Sequence, residues 1–248
     1  MKFPKTFRPG KDLDGKIEDL LSLESLVYNP EVINALLAVG EEFLENKYDD
    51  YENFYDIGVG LVRGLRYGLK DVEEMSKRIK YGQSRFLGVY LSVLVNKVIT
   101  EKDIVTLTLE EKLNCIGMYL QKGTLIIKGN TIDYTGRGMK GGMLIVEGNA
   151  NNTTGCYMEG GNLIVKGNAN DATGGSMVGG KLIVEGNAND DTGYYMSGGE
   201  LVVEGNAKDY TGHGMVGGEL VVEGKIKSIS GYFKKGIIVE GGKVRRDY

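Results

Sequence analysis

Two spacings of apolar residues divide this chain. From about Leu13 to Ile99 they fall three and four apart, the spacing of one helix face. Past residue 110 the pattern changes to short runs between glycines, such as Leu182-Ile183-Val184-Glu185, where the first and third side chains share a face. Equivalent runs begin at Leu125, Leu144, Leu163, Leu201 and Leu220, so a short strand returns with a period of 19.

The helical pattern breaks into several segments. Ile17, Leu20 and Leu21 share one face. Asn29-Pro30-Glu31 is a helix start, with Asn29 as N-cap, Pro30 at the first helical position and an acid in the first turn. That helix presents Ile33, Leu36, Leu37, Gly40, Phe43 and Leu44 on one side and Glu41, Glu42 and Glu45 on the other. A third segment carries Phe54, Ile57, Leu61, Val62 and Leu65. A long stretch follows Gly68 through Val72, Met75, Ile79, Phe86, Leu87, Tyr90, Leu91, Leu94 and Val98, with an interruption at Gly82. Four or five packed helices are expected.

In the second half the period of 19 runs through every residue class. Gly136 returns as Gly155, Gly174, Gly193, Gly212 and Gly231; Met139 returns as Met158, Met177, Met196 and Met215; Gly141-Gly142 returns four more times. No coil of this size can bury its apolar side alone. Stacked about 4.8 Å apart, successive coils pair in parallel and align like residues in columns. The expected fold is therefore α+β: an N-terminal helical domain over 1–112, then a right-handed parallel β-helix of 19-residue coils over 113–248. Six to seven coils are expected from about Gly117 to Gly242, with Leu, Val and Met inside and glycine at the corners. The Asn column (Asn130, Asn149, Asn168, Asn187, Asn206) is expected to form a ladder up the stack, and the Thr column (Thr135, Thr154, Thr173, Thr192, Thr211) to serve the turns.

A net charge of −4 gives no general attraction to nucleic acid or to a membrane surface. Only 9 of the 39 glycines precede residue 110, which marks the boundary between the two halves. Cys115 and Cys156 are too few for a disulfide framework, and their separation of 41 is no multiple of 19, so they read as buried free thiols. The N-terminus lacks the apolar core of a signal peptide, and the stretch Phe86–Ile99, broken by Asn96 and Lys97, is too short to cross a membrane. A cytoplasmic protein without membrane insertion is expected. Arg63, Arg66, Lys70, Lys77, Arg78, Lys80 and Arg85 form a basic stretch, read mainly as the solvated side of amphipathic helices rather than a docking surface.

Candidate chemistry is sparse. Gly136-Arg-Gly-Met-Lys-Gly141 and Gly212-His-Gly-Met-Val-Gly217 match the dinucleotide-binding pattern in letters, yet a strand follows them where a helix is required. Asp171, Asp190 and Asp209, with Asp133 in phase, read as turn residues before they read as a metal site. His213 is the single histidine, so a multi-histidine zinc site cannot form. Cys156 lies three coils before it, about 14 Å along the stack. No catalytic, cofactor-binding or metal-ligating residue is assigned.

The phrase Gly-Asn-Ala-x-Asp-x-Thr-Gly-x-x-Met-x-Gly-Gly-x-Leu-Ile/Val-Val-x-Gly, at 167–186, 186–205 and 205–224, resembles the repeat of the GXGXG domain. That domain ends the large chain of glutamate synthase and forms a separate subunit of formylmethanofuran dehydrogenase. The resemblance covers about residues 117–242 and recurs in consecutive coils without insertion. It implies a right-handed β-helix that is a non-catalytic structural and partner-binding module, whose partners are protein subunits of a redox complex or further copies of the chain. The helical part is expected to dock a partner or to cap the open first coil, and Lys234, Lys235, Lys243, Arg245 and Arg246 to protect the other end. The competing expectation is a stand-alone hydrolase or lyase with a site at the junction of the two parts, using Tyr157, Tyr194, Tyr195 or Tyr210 with an acidic neighbour.

Overall fold

A computed structural model describes residues 51–62, 66–78 and 84–247. Helix α1 (Tyr51–Val62) buries Phe54, Tyr55, Ile57 and Val62, the periodic face. Helix α2 (Leu69–Ser76) buries Val72 and Met75, and the carboxylate of Asp71 accepts the Gly68 N–H at 2.9 Å, satisfying an N-terminal donor. Helix α3 (Ser84–Val98) buries Leu87, Tyr90, Leu91 and Leu94. The stretch after Gly68 thus holds two helices, as its interrupted pattern suggests. The expected elements around Ile17–Leu21 and Asn29–Leu44, together with Leu65, Ile79 and Gly82, lie outside the described residues.

Nine strands follow in one sheet, ordered as in the sequence. Strands β1 (Ile104–Thr108), β2 (Thr124–Lys128), β3 (Lys140–Val146), β4 (Gly160–Val165), β5 (Lys181–Val184), β6 (Glu200–Val203), β7 (Val216–Val222) and β8 (Lys235–Glu240) pair in parallel, one per turn of a β-solenoid. Strand β9 (Lys243–Asp247) pairs antiparallel with β8. Register advances by 19 from Thr124 to Met143, Asn162, Lys181, Glu200 and Glu219. It advances by 20 from Ile104 to Thr124 and by 18 from Glu219 to Ile237, so the end coils depart from the repeat. The stack consequently begins at Ile104, upstream of the Gly117 that the strict period marks.

Within each coil the interior positions are those the period-2 pattern names. Leu182 and Val184 are buried, as are Ala188, Thr192 and Met196 of the same turn. Fully burying a Leu, Val or Met contributes about 2 kcal/mol. The Thr hydroxyls point inward and donate locally: Thr154 Oγ1 to Asn151 O at 2.8 Å, Thr173 to Asn170 O at 2.7 Å and Thr192 to Asn189 O at 2.8 Å. The Asn column works chiefly through its carbonyl oxygens, which accept the next Asn N–H at 2.7–2.8 Å, while the amide nitrogens donate longer bonds of 3.1–3.3 Å to the Asn of the preceding coil. Asp133, Asp171 and Asp190 accept the backbone N–H one coil on, at 3.0–3.3 Å, which gives that column its turn role.

Both ends of the stack are covered. Against the first coil, Ser92 Oγ, which donates to Gly88 O at 2.6 Å, lies 3.1 Å from Cys115 O and accepts Met118 N–H at 3.2 Å, while Asn96 Nδ2 donates to Met118 O at 3.0 Å. Glu73 of α2 accepts Thr106 N–H at 2.8 Å, on strand β1. One apolar core runs from Phe54 through the coils to Ile238. At the far end β9 lies beside β8, with Lys243 and Arg245 exposed and Arg245 paired to Glu240 at 3.2 Å. Gly231 leaves the glycine column: its φ is not positive, and Ser230 N–H makes the bond to Thr211 O that a glycine N–H makes in the coils before.

Candidate functional site

One corner of the solenoid is built from left-handed backbone. Positive φ recurs in every regular coil, and many of the residues that adopt it are not glycine: Cys115, Tyr119, Tyr134, Thr153, Tyr157, Ala172, Ser176, Asp191, Tyr195 and Tyr210 lie between +51° and +62°. Such residues carry strain that surrounding structure must impose. Here it is imposed by stacking. Each turn repeats the bonds of its neighbour, as in Tyr119 N–H to Arg137 O at 3.0 Å and Tyr195 N–H to His213 O at 2.7 Å. The result is a face studded with tyrosines, which the strand pattern alone does not announce.

Helix α1 covers the start of this face. Tyr51 meets Tyr134 with ring centroids 5.1 Å apart, Tyr55 meets Tyr119 edge-on at 4.9 Å, and Glu52 pairs with Arg137 at 2.9 Å. The Arg137 guanidinium lies 5.5 Å from the Tyr134 ring and 4.6 Å from that of Tyr157. Burial pushes the Tyr119 hydroxyl up to about 12, and the neighbouring Glu52 charge adds to that.

Further along, the face is open. Tyr194 and Tyr195 touch edge-on at 4.4 Å, Tyr194 stacks on His213 at 5.5 Å, and Tyr232 lies 5.7 Å from the same imidazole. Ser230 Oγ is 3.2 Å from His213 Nδ1. Asp191, beside this group, has its carboxyl raised by burial first and by Asp190 and Asp171, with His213 pulling it back. Tyr157 stands against Arg137 instead, so the four tyrosines named from sequence do not converge on one point.

The junction of helices and solenoid holds a cavity of about 310 Å³ lined by Tyr55, Val59, Val62, Val93, Asn96, Lys97 and Gln121. Asn96 Nδ2 donates to the Tyr55 hydroxyl at 2.8 Å, Lys97 Nζ donates to the Val62 carbonyl, and burial lowers the Lys97 ammonium below its ordinary range. A second, polar groove of about 460 Å³ follows the Asn ladders from Lys112 to Asn170. Its amides are engaged in the ladder bonds.

Cys115 and Cys156 are free and buried, and burial pushes the Cys156 thiol up to about 11, away from thiolate character. Both glycine-rich motifs are corner turns leading into β3 and β7. Among the described residues, no group of three His, Cys, Asp or Glu side chains is placed to hold a metal ion. Arg66, Lys70 and Lys77 are exposed, the last paired with Glu74, whereas Arg63 and Lys80 lie outside the described residues. No described helix is long and apolar enough to cross a membrane. No protein-family model matches the chain, and no curated protein is significantly similar to it.

Proposed function

We propose that this chain is a non-catalytic structural and partner-binding subunit of a multi-subunit redox enzyme, a module of the GXGXG kind whose right-handed β-helix offers a long rigid face. The cytoplasm is the compartment this reading requires. The observation that carries it is the regularity of the coils. Most columns of polar residues are consumed by turn and ladder bonds, and the tyrosine face is left as the irregular surface. Exposed aromatic clusters on a rigid frame suit protein contacts.

Gentle affinity purification of the tagged chain from its native host tests the proposal. Stoichiometric recovery of flavin, iron–sulfur or molybdopterin subunits is the expected result. A chain recovered alone, or only with copies of itself, would overturn it.

A second reading, a hydrolase or lyase acting at the helix–solenoid junction, has one observation in its favour: the cavity that holds Lys97, with its lowered ammonium. Turnover abolished by Lys97→Met without loss of folding would support that reading. It would then rest on Lys97 and Tyr55, since Tyr194, Tyr195 and Tyr210 do not line this cavity.

A further inference from the structure

The tyrosine face carries the same constellation twice, four coils apart. Tyr119, Tyr134, Arg137 and Gly138 recur four periods later as Tyr195, Tyr210, His213 and Gly214, the last three of each set within Tyr-Thr-Gly-Arg-Gly-Met and Tyr-Thr-Gly-His-Gly-Met. The geometry recurs with the letters. Backbone φ is +54° and +51° at the first tyrosines, +62° and +58° at the second, and +61° and +69° at the glycines. In both copies the first tyrosine lies over that glycine, where a Cβ would come 2.5 Å from Tyr119 Cε1 or 2.7 Å from Tyr195 Cε1. One copy holds a helix: Tyr51, Glu52 and Tyr55 of α1 meet Tyr134, Arg137 and Tyr119 respectively. The other copy, about 19 Å along the stack, leaves Tyr195 42% and Tyr210 58% exposed.

We infer that Tyr195, Tyr210 and His213 form a second helix seat, which takes an amphipathic helix of a partner protein presenting aromatic, acid and aromatic residues at i, i+1 and i+4. This rests on the partner-binding reading above and names its surface. The occupied copy supplies the chemistry. His213 stands where Arg137 receives Glu52; Ser230 Oγ accepts Tyr232 N–H at 3.1 Å and can give its own proton to Nδ1, which leaves Nε2 as the imidazole's donor for a carboxylate. Lys234, 5.3 Å from the Tyr232 ring, adds positive charge beside the seat. Asp191 takes the column position of Cys115 and interacts with His213, so the second seat carries an acid of its own that the first lacks. A second copy of this chain is a poor occupant, because its own α1 is already engaged on its first coil.

The test titrates full-length protein into a labelled alanine-rich helical peptide carrying Tyr-Glu-Ala-Ala-Tyr, read by fluorescence anisotropy. Saturable binding is expected, weakened at least tenfold by Tyr210→Asn, which keeps a residue tolerant of positive φ, and by His213→Glu. A peptide with Lys for Glu should bind the His213→Glu protein better than the unsubstituted one. No saturable binding, binding indifferent to both substitutions, or binding lost only with Tyr134→Asn would overturn the seat. Self-association of the protein abolished by Tyr210→Asn would put a second copy there and overturn the partner-helix assignment. Redox subunits that co-purify equally with Tyr210→Asn would leave the scaffold proposal standing while the seat fails.

Discussion

Gly174 has φ +69°, and a Cβ added there would lie 2.6 Å from Leu201 Cδ2, inside the next coil. At Gly193 the φ is +75° but the nearest atom, Leu220 Cδ2, is 3.1 Å away. Valine therefore meets the left-handed penalty at both positions and a hard overlap at one. We expect Gly174→Val to cost about 3 kcal/mol and Gly193→Val about 2 kcal/mol, from backbone strain plus overpacking. Urea denaturation of both variants checks the ranking, and unchanged midpoints would refute the corner assignment. These glycines were legible because they recur at a fixed period. The non-glycine residues at positive φ on the same corner were not. Tyr, Thr, Ala and Ser adopt that conformation only where neighbouring coils dictate their bonds, so nothing in their own chemistry signals it.

At the scale of an element, the Asn column ties each coil to the one before it. Asn168 Oδ1 accepts Asn187 N–H at 2.8 Å, and Asn206 Oδ1 accepts Lys225 N–H at 2.8 Å. Each amide thus serves one backbone donor, wherever it stands in the column. Asn168→Ala also loses the amide bonds to Asn149 Oδ1 and from Asn187 Nδ2, and Asn206→Ala the one to Asn187 Oδ1. These longer bonds near water add little, so each variant should cost about 1 kcal/mol. Asn168→Asp, which keeps the acceptor, should cost less. Melting curves showing a large difference between the two alanine variants would mean that the ladder acts cooperatively along its length. Strands β2 to β7 were legible from the Leu-x-Val runs and their regular return. Strand β1 was hidden because the step from Ile104 to its partner Thr124 exceeds the period by one, and β9 because an antiparallel strand obeys no stacking period. The tyrosine seats were hidden for a related reason. They repeat only at every fourth coil, and the glycines that recur in each coil mask them.

Across the whole molecule, contacts run mainly between successive coils, and the special structure sits at the ends: α2 and α3 over the first coil and β9 beside the last. Such an array behaves as a sum of repeats and nearest-neighbour interfaces. The middle of the stack should then accept a further coil if every column stays in phase. Duplicating residues 167–185 directly after Glu185 places Leu on Leu, Val on Val, Asn on Asn and glycine on glycine, and leaves both caps in place. We expect this variant to fold cooperatively with an unchanged or higher melting temperature. Its urea m-value should rise in proportion to the added length, by roughly one part in thirteen, because m follows the surface exposed on unfolding. The same insertion without Ile183 falls one short of the period. It would put Leu182 and Val184 on opposite faces, sending one interior side chain outward and breaking the register beyond it. The end coils keep steps of 20 and 18 beside a cap, whereas the mid-stack step of 20 from Lys140 to Gly160 returns to 19 at Met143 and Asn162 of the same strands. A mid-stack coil has ladder bonds on both sides and no such freedom, so the shorter insertion should lose several kcal/mol or fail to fold. If the two insertions melt alike, in-phase columns are not what holds the solenoid together.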